Sequence, residues 1–341
     1  MDQARLIPPA VLGDFAIEPF LPRAPWWTGD LQTVSNYLRR RAGLDAYAQQ
    51  RLLLPLGDGT GDRLSGALSR PAPGAPPRPL AVLIHGLSGD ERSFYMRKTA
   101  LHLLSLGYPV LRLNMRGAGP SRPYCKLQYH AGLSADFGMA LAALPPDLKA
   151  GGVVAVGFSL GGNMLLKFLG EYGAAAPLRA AASISAPIDL ALTSRNMMQR
   201  RNYVYQAYLL RDLRIEAVAP IADVTEAERR AVARVRSIWD YDEAFTAPRN
   251  GYANATAYYK ANSAQSVLGA IGVPTLVIHA MDDPWVPSAP YRAFNWSCNP
   301  YLMPLLPERG GHVGFHASDD RSAPWSDRAV ARFFETVLSR A

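Results

Sequence analysis

Ser159 stands between two glycines in Gly157-Phe158-Ser159-Leu160-Gly161. A serine hydroxyl is a poor nucleophile at neutral pH. It needs a base within hydrogen-bond reach, and the base needs a group to orient it. Two later stretches supply such groups. Met281-Asp282-Asp283-Pro284-Trp285-Val286-Pro287 brings two carboxylates, and Glu308-Arg309-Gly310-Gly311-His312-Val313-Gly314-Phe315 brings a histidine on a glycine-rich loop. The order serine, acid, histidine suits loops that follow successive strands of one open α/β sheet. The chemistry such a set of groups would support is acyl transfer through a covalent serine intermediate.

Asp283 is favoured over Asp282 as the acid, because it sits in an Asp-x-x-Val-Pro turn fixed by proline. Asp282 is expected to bond to the turn's own backbone. Among the six histidines, His312 is the expected base. His102 lies in a helical pattern, His279 inside a strand and His130 in a loop, and each reads as a satisfied structural residue. His85 precedes the serine, and His316 lacks the glycine setting. An oxyanion needs two backbone donors: Leu160 N–H, next after the serine, and an N–H from His85-Gly86-Leu87-Ser88-Gly89, assigned to Leu87. Gly86 and Phe158 are assigned to substrate binding. No Cys/His cluster has metal-ligand spacing, and neither a metal nor a cofactor is expected.

The elements that must position these groups follow from periodicity. Val153-Val154-Ala155-Val156 is an unbroken apolar run, read as a strand buried on both faces. Leu165, Leu166, Phe168 and Leu169 then recur at helical spacing, so Ser159 falls at a strand-to-helix bend. The bend puts the hydroxyl at a helix N-terminus, where free N–H groups favour developing negative charge. Upstream, Arg51–Leu56 and Arg63–Leu68 read as a hairpin. Leu80–Ile84, Pro109–Leu113, Ala180–Ser185, Pro274–Ala280 and Tyr301–Leu306 read as further strands. Helices are expected over Arg92–Leu106, Ser134–Leu144 (capped by Ser134) and Asp327–Leu338. Alternating strands and helices predict a mostly parallel central sheet flanked by helices. From Pro187 to Ser266 the alternation stops, and aromatic and basic residues interleave at helical spacing. The expected organisation is an N-terminal arm over 1–50 packing on the core, an α/β core over 51–186 and 267–341, and a helical cap inserted over 187–266.

Composition narrows the setting. The chain has 341 residues, 19% of them charged, with net charge +8 and two cysteines, Cys125 and Cys298. These values describe an ordinary globular protein, with no disulfide framework, although one disulfide stays open. Apolar runs are strand-sized, and the start lacks a secretory pattern, so a cytoplasmic location is expected. Short basic clusters without an aromatic platform argue against nucleic acid. Transient contact with a membrane surface is left open by the basic character, and the oligomeric state is left open too.

Together these motifs resemble the α/β-hydrolase superfamily over about residues 50–340. Finer features are similar to its YheT-like branch and to eukaryotic ABHD-type hydrolases: Leu31-Gln32-Thr33, His85-Gly86-Leu87-Ser88-Gly89, Asn114-x-Arg116-Gly117, the Ser159 stretch, Trp239 to Pro248 with Tyr258-Tyr259, and Gly310 to Phe315. The resemblance implies an α/β-hydrolase fold and cleavage of carboxylic esters, with acyl transfer to alcohols in some relatives. The expected activity is hydrolysis of short- to medium-chain acyl esters by Ser159, His312 and Asp283, on a small apolar substrate. Alcohol acyltransferase or thioesterase chemistry with the same three residues is the alternative, and a non-catalytic ligand-binding homologue is more distant.

Overall fold

Residues 15–38, 43–320 and 323–340 are described by a computed structural model. Residues 1–14 and 39–42 of the expected N-terminal arm lie outside these residues. Eight strands form one sheet in the order β1-β2-β4-β3-β5-β6-β7-β8. They are β1 (Gln49–Pro55), β2 (Arg63–Ser69), β3 (Leu80–Ile84), β4 (Val110–Leu113), β5 (Val153–Phe158), β6 (Ala180–Ile184), β7 (Thr275–Ile278) and β8 (Leu302–Leu305). Strand β2 runs antiparallel to β1 and β4, and every other pairing is parallel. Each expected strand is present, with ends shifted by a residue or two.

The sheet separates two apolar layers, and the side-chain period of two decides which residues enter each. From β5, Val153 and Ala155 join the layer that holds the helices Ser134–Ala143 and Leu160–Tyr172. Val154, Val156 and Phe158 join the opposite layer, under the helices Phe94–Ser105 and Trp325–Leu338. In the last helix, Val330, Phe333, Phe334 and Val337 recur at i, i+3, i+4 and i+7 and are fully buried. Each such phenylalanine contributes roughly 2–3 kcal/mol by leaving water. Ser134 does not cap its helix as expected. Leu133 precedes the helix, and the Ser134 hydroxyl donates to Glu171.

Between β6 and β7 the described chain is helical. Its main helices are Leu190–Met197, Tyr203–Ala217, Glu226–Arg234 and Ala255–Asn262. Their starts are written in the sequence: Asp189 accepts from Leu192 N–H, Thr225 and Glu228 form a reciprocal capping box, and Asn254 accepts from Ala257 N–H. The N-terminal segment crosses the outside of the second layer, where Phe15 packs on Phe333 and Phe20 on Phe315 and Trp325. Cys125 is buried, Cys298 is exposed, and both are free thiols.

Candidate active site

Ser159 links β5 to the helix Leu160–Tyr172 with φ 50° and ψ −121°, a conformation non-glycine residues adopt only under external constraint. The constraint is close packing around the bend. A Cβ on Gly157 would stand 2.5 Å from Gly161 O, and one on Gly161 would stand 2.3 Å from His85 O. The glycines therefore let β5, its helix and the end of β3 approach one another, and the serine is pushed outward.

His312 Nε2 lies 2.9 Å from Ser159 Oγ, and His312 Nδ1 lies 2.8 Å from Asp283 Oδ2. Three loops, after β5, β7 and β8, thus bring the expected serine, acid and histidine into one hydrogen-bonded line. Asp283 Oδ1 accepts from Trp285 N–H at 2.8 Å and Val286 N–H at 3.0 Å. Burial pushes the Asp283 carboxyl up. The facing His312 and the backbone donors outweigh it, and the carboxyl sits below its ordinary range. The Trp285 ring stacks on His312 at 4.4 Å, so the imidazole is held on its face as well as at both nitrogens.

Asp282 departs from expectation. Its Oδ1 accepts from Gly311 N–H at 2.9 Å, and so it ties the acid turn to the histidine loop rather than closing its own turn. The helix Gly29–Leu38 braces that loop from the other side. Thr33 Oγ accepts from His312 N–H at 2.8 Å, Gln32 Oε1 accepts from His316 N–H at 2.8 Å, and Asn36 Nδ2 donates to Val313 O at 2.7 Å. Leu31-Gln32-Thr33 is visible in sequence as a family-like motif, but its role as a clamp on a loop some 280 residues away is not.

The turn after β3 is equally constrained. Gly86 N–H donates to Tyr95 OH at 2.9 Å, Ser88 N–H to Tyr129 OH at 2.8 Å and Gly89 N–H to Gly86 O at 3.1 Å. Leu87 N–H makes no bond among the described residues, nor does Leu160 N–H at the helix start. Gly86 borders the nucleophile; a Cβ there would stand 3.0 Å from Ser159 Cβ. Phe158 does not join the site as expected. The alternation of β5 turns it into the opposite layer, where it is buried against Tyr95.

Two cavities meet at Ser159 and His312. The larger, about 350 Å³, is bordered by Thr33, Asn36, the Gly86–Gly89 turn, Arg92 and Tyr208. The smaller, about 100 Å³, is mostly apolar and reaches under the helical insertion to Leu190, Met197, Leu213 and Tyr258. Of the other histidines, His85 Nε2 accepts from Met115 N–H and His130 Nδ1 from Gly132 N–H. His279 is not satisfied as expected. It stacks on Tyr291 at 3.9 Å, its ring nitrogens have no partner among the described residues, and burial pushes it down to about 4. Among the described residues no three His, Cys, Asp or Glu side chains converge as metal ligands.

A family model for the alpha/beta hydrolase fold matches residues 79–318. Escherichia coli YheT is 33% identical over 302 residues, covering 87% of this chain and 86% of that protein. The Saccharomyces cerevisiae medium-chain fatty acid ethyl ester synthase/esterase 2 is 32% identical over 287 residues, covering 75% of this chain and 62% of that protein. Among solved structures, the Pyrococcus furiosus esterase Pf2001 has the same fold, with a TM-score of 0.56 at 16% identity, covering 93% and 98% of the two chains. The chain belongs to the α/β-hydrolase family and is related to the YheT and ABHD-type esterases. Membership supports hydrolase-type chemistry for this chain. Among the described residues no helix is long and apolar enough to cross a membrane.

Proposed function

We propose that the protein is a serine esterase that cleaves short- to medium-chain carboxylic esters. The observation carrying this reading is the unbroken line Ser159 Oγ, His312, Asp283, with bonds of 2.9 and 2.8 Å. Ser159 Oγ attacks the acyl carbon while its proton passes to His312 Nε2. Leu87 and Leu160 N–H groups receive the oxyanion, each worth roughly 3 kcal/mol of transition-state stabilisation. His312 returns the proton to the departing alcohol. Water then attacks the acyl-enzyme, again through His312, and releases the acid. Asp283 fixes the ring orientation and balances the imidazolium charge.

The apolar chamber under the helical insertion suits the acyl group, and the insertion acts as its cap. The larger, more polar cavity suits the alcohol. Ser159→Ala is expected to abolish p-nitrophenyl ester turnover and fluorophosphonate labelling while the fold is kept; full turnover in that variant would overturn the reading. Acyl transfer to an alcohol is a second reading, favoured by the yeast relative whose name joins synthase to esterase and by the room beside Ser159. Product partition between acid and new ester, with a competing alcohol, separates the two.

A further inference from the structure

The helix Tyr203–Ala217 of the insertion has two sharply different faces. Gln206, Leu209, Leu210, Leu213 and Ala217 face inward and are buried. On the opposite side, at 100° per residue, Tyr203, Val204, Tyr208, Arg211 and Ile215 fall within an arc of about 140°. Tyr203 is 68% exposed, Val204 75% and Ile215 62%. Apolar side chains so exposed and so aligned are unusual on a face meant for water alone.

Cations outnumber carboxylates on this face: Arg201 pairs with the half-exposed Asp30 at 3.0 Å and Arg211 with Asp212, while Arg200 has no ion pair among the described residues. Arg200 and Arg201 precede the helix and are exposed, as is Arg211, which sits over the Tyr208 ring at 5.3 Å. Between Arg200 and Ile215 the only carboxylate is Asp212, largely covered and paired with Arg211. The chain as a whole carries +8. Apolar and aromatic groups interleaved with arginines form the surface that settles into an anionic lipid interface, the rings and aliphatic groups entering the headgroup zone and the guanidiniums meeting phosphates. Tyr208 belongs to this face and also borders the larger cavity beside Ser159. A lipid surface seated here would lie at the mouth of that cavity.

We propose that the outward face of the Tyr203–Ala217 helix docks on an anionic membrane surface and presents the larger cavity to it. The inference rests on the esterase reading only for what the mouth leads to; docking itself needs no turnover. The test is co-sedimentation of the full chain with mixed phosphatidylglycerol–phosphatidylcholine vesicles and with pure phosphatidylcholine vesicles. Wild-type protein should partition onto the anionic vesicles at low salt and be released by added salt. Val204→Asp combined with Ile215→Asp, and separately Arg200→Glu, should each lower the bound fraction by about five-fold or more. These variants should hydrolyse a soluble p-nitrophenyl ester at the wild-type rate, which also shows that they fold. Ser159→Ala should still bind vesicles, so failure of docking and failure of catalysis are read apart. Absence of wild-type binding, or wild-type binding by the Val204/Ile215 variant, would overturn the proposal. So would light scattering that shows these substitutions splitting a dimer, since the face would then be a self-association surface.

Discussion

Asp283 and Asp327 are both buried carboxyls, and the protein treats them in opposite ways. Asp283, at the carboxyl edge of the sheet, takes two backbone N–H bonds and faces His312, and its carboxyl lies below the ordinary range. Asp327, in the helix on the far side of the sheet, has one Thr99 hydroxyl on Oδ1 and no partner on Oδ2. Burial pushes it up to about 7. Depth does not decide whether a buried carboxyl keeps its charge; the number of donors aimed at it does. The sheet edge is built to hold an ion, whereas the helix layer is built to exclude one.

The contrast is tested most strongly at Asp283. Asp283→Asn should keep the fold but lower kcat by roughly 10⁴-fold, because the amide favours the wrong imidazole tautomer. Steady-state kinetics on a p-nitrophenyl ester reads this, and a loss under ten-fold would mean that the donors around Asp283 serve structure alone.

Asp327 should act on stability and leave catalysis alone. Its folded pKa of about 7 lies above the ordinary 3.8, so the folded chain binds this proton more tightly than the unfolded chain. Its contribution is therefore full below about pH 4, declines as pH rises toward 7, and is flat beyond. Between pH 5 and 8 the loss should be on the order of 2 kcal/mol. Asp327→Asn should remove that slope in denaturant titrations at several pH values; an unchanged slope would show that Asp327 is ionised in the fold.

Smaller effects are expected where groups act through others. Tyr129→Phe removes the acceptor for Ser88 N–H beside the proposed Leu87 donor. It should lower kcat about ten-fold with little change in KM, since an oxyanion turn of the proposed kind matters most in the transition state. Thr33→Val removes the hydroxyl that holds His312 N–H. It should cost about 1–2 kcal/mol of stability, with a few-fold loss in kcat; thermal melts and initial rates read both.

What could be read from sequence follows the range of the interactions. The strands and the serine bend come from local periodicity and glycine spacing, and these survive in the fold almost residue for residue. The strand order of a parallel sheet singles out Asp283 and His312, and the fold brings both into hydrogen-bonded line with Ser159. Interactions fixed only by tertiary packing were hidden. Trp285 is visible as part of the acid turn, but nothing local dictates that its ring lies on His312. Adjacency to Ser159 suggests a place near the substrate for Phe158, whereas the two-residue period of β5 sends it to the other face. Asp282 reads locally as serving its own turn, and its partner, Gly311, lies on another loop.

The clamp between the Gly29–Leu38 helix and the loop at His312 also bears on synthesis. The ribosome makes Gln32 and Thr33 early, yet their partners at His312 and His316 emerge some 280 residues later. Until then the helix has no loop to brace, and Ser159 lacks its proposed base. The protein should therefore acquire its reactive serine abruptly, as the last strand and its loop join the sheet, rather than gradually along the growing chain. A stalled nascent chain ending before Gly310 would carry the whole serine bend and still be inert to a fluorophosphonate.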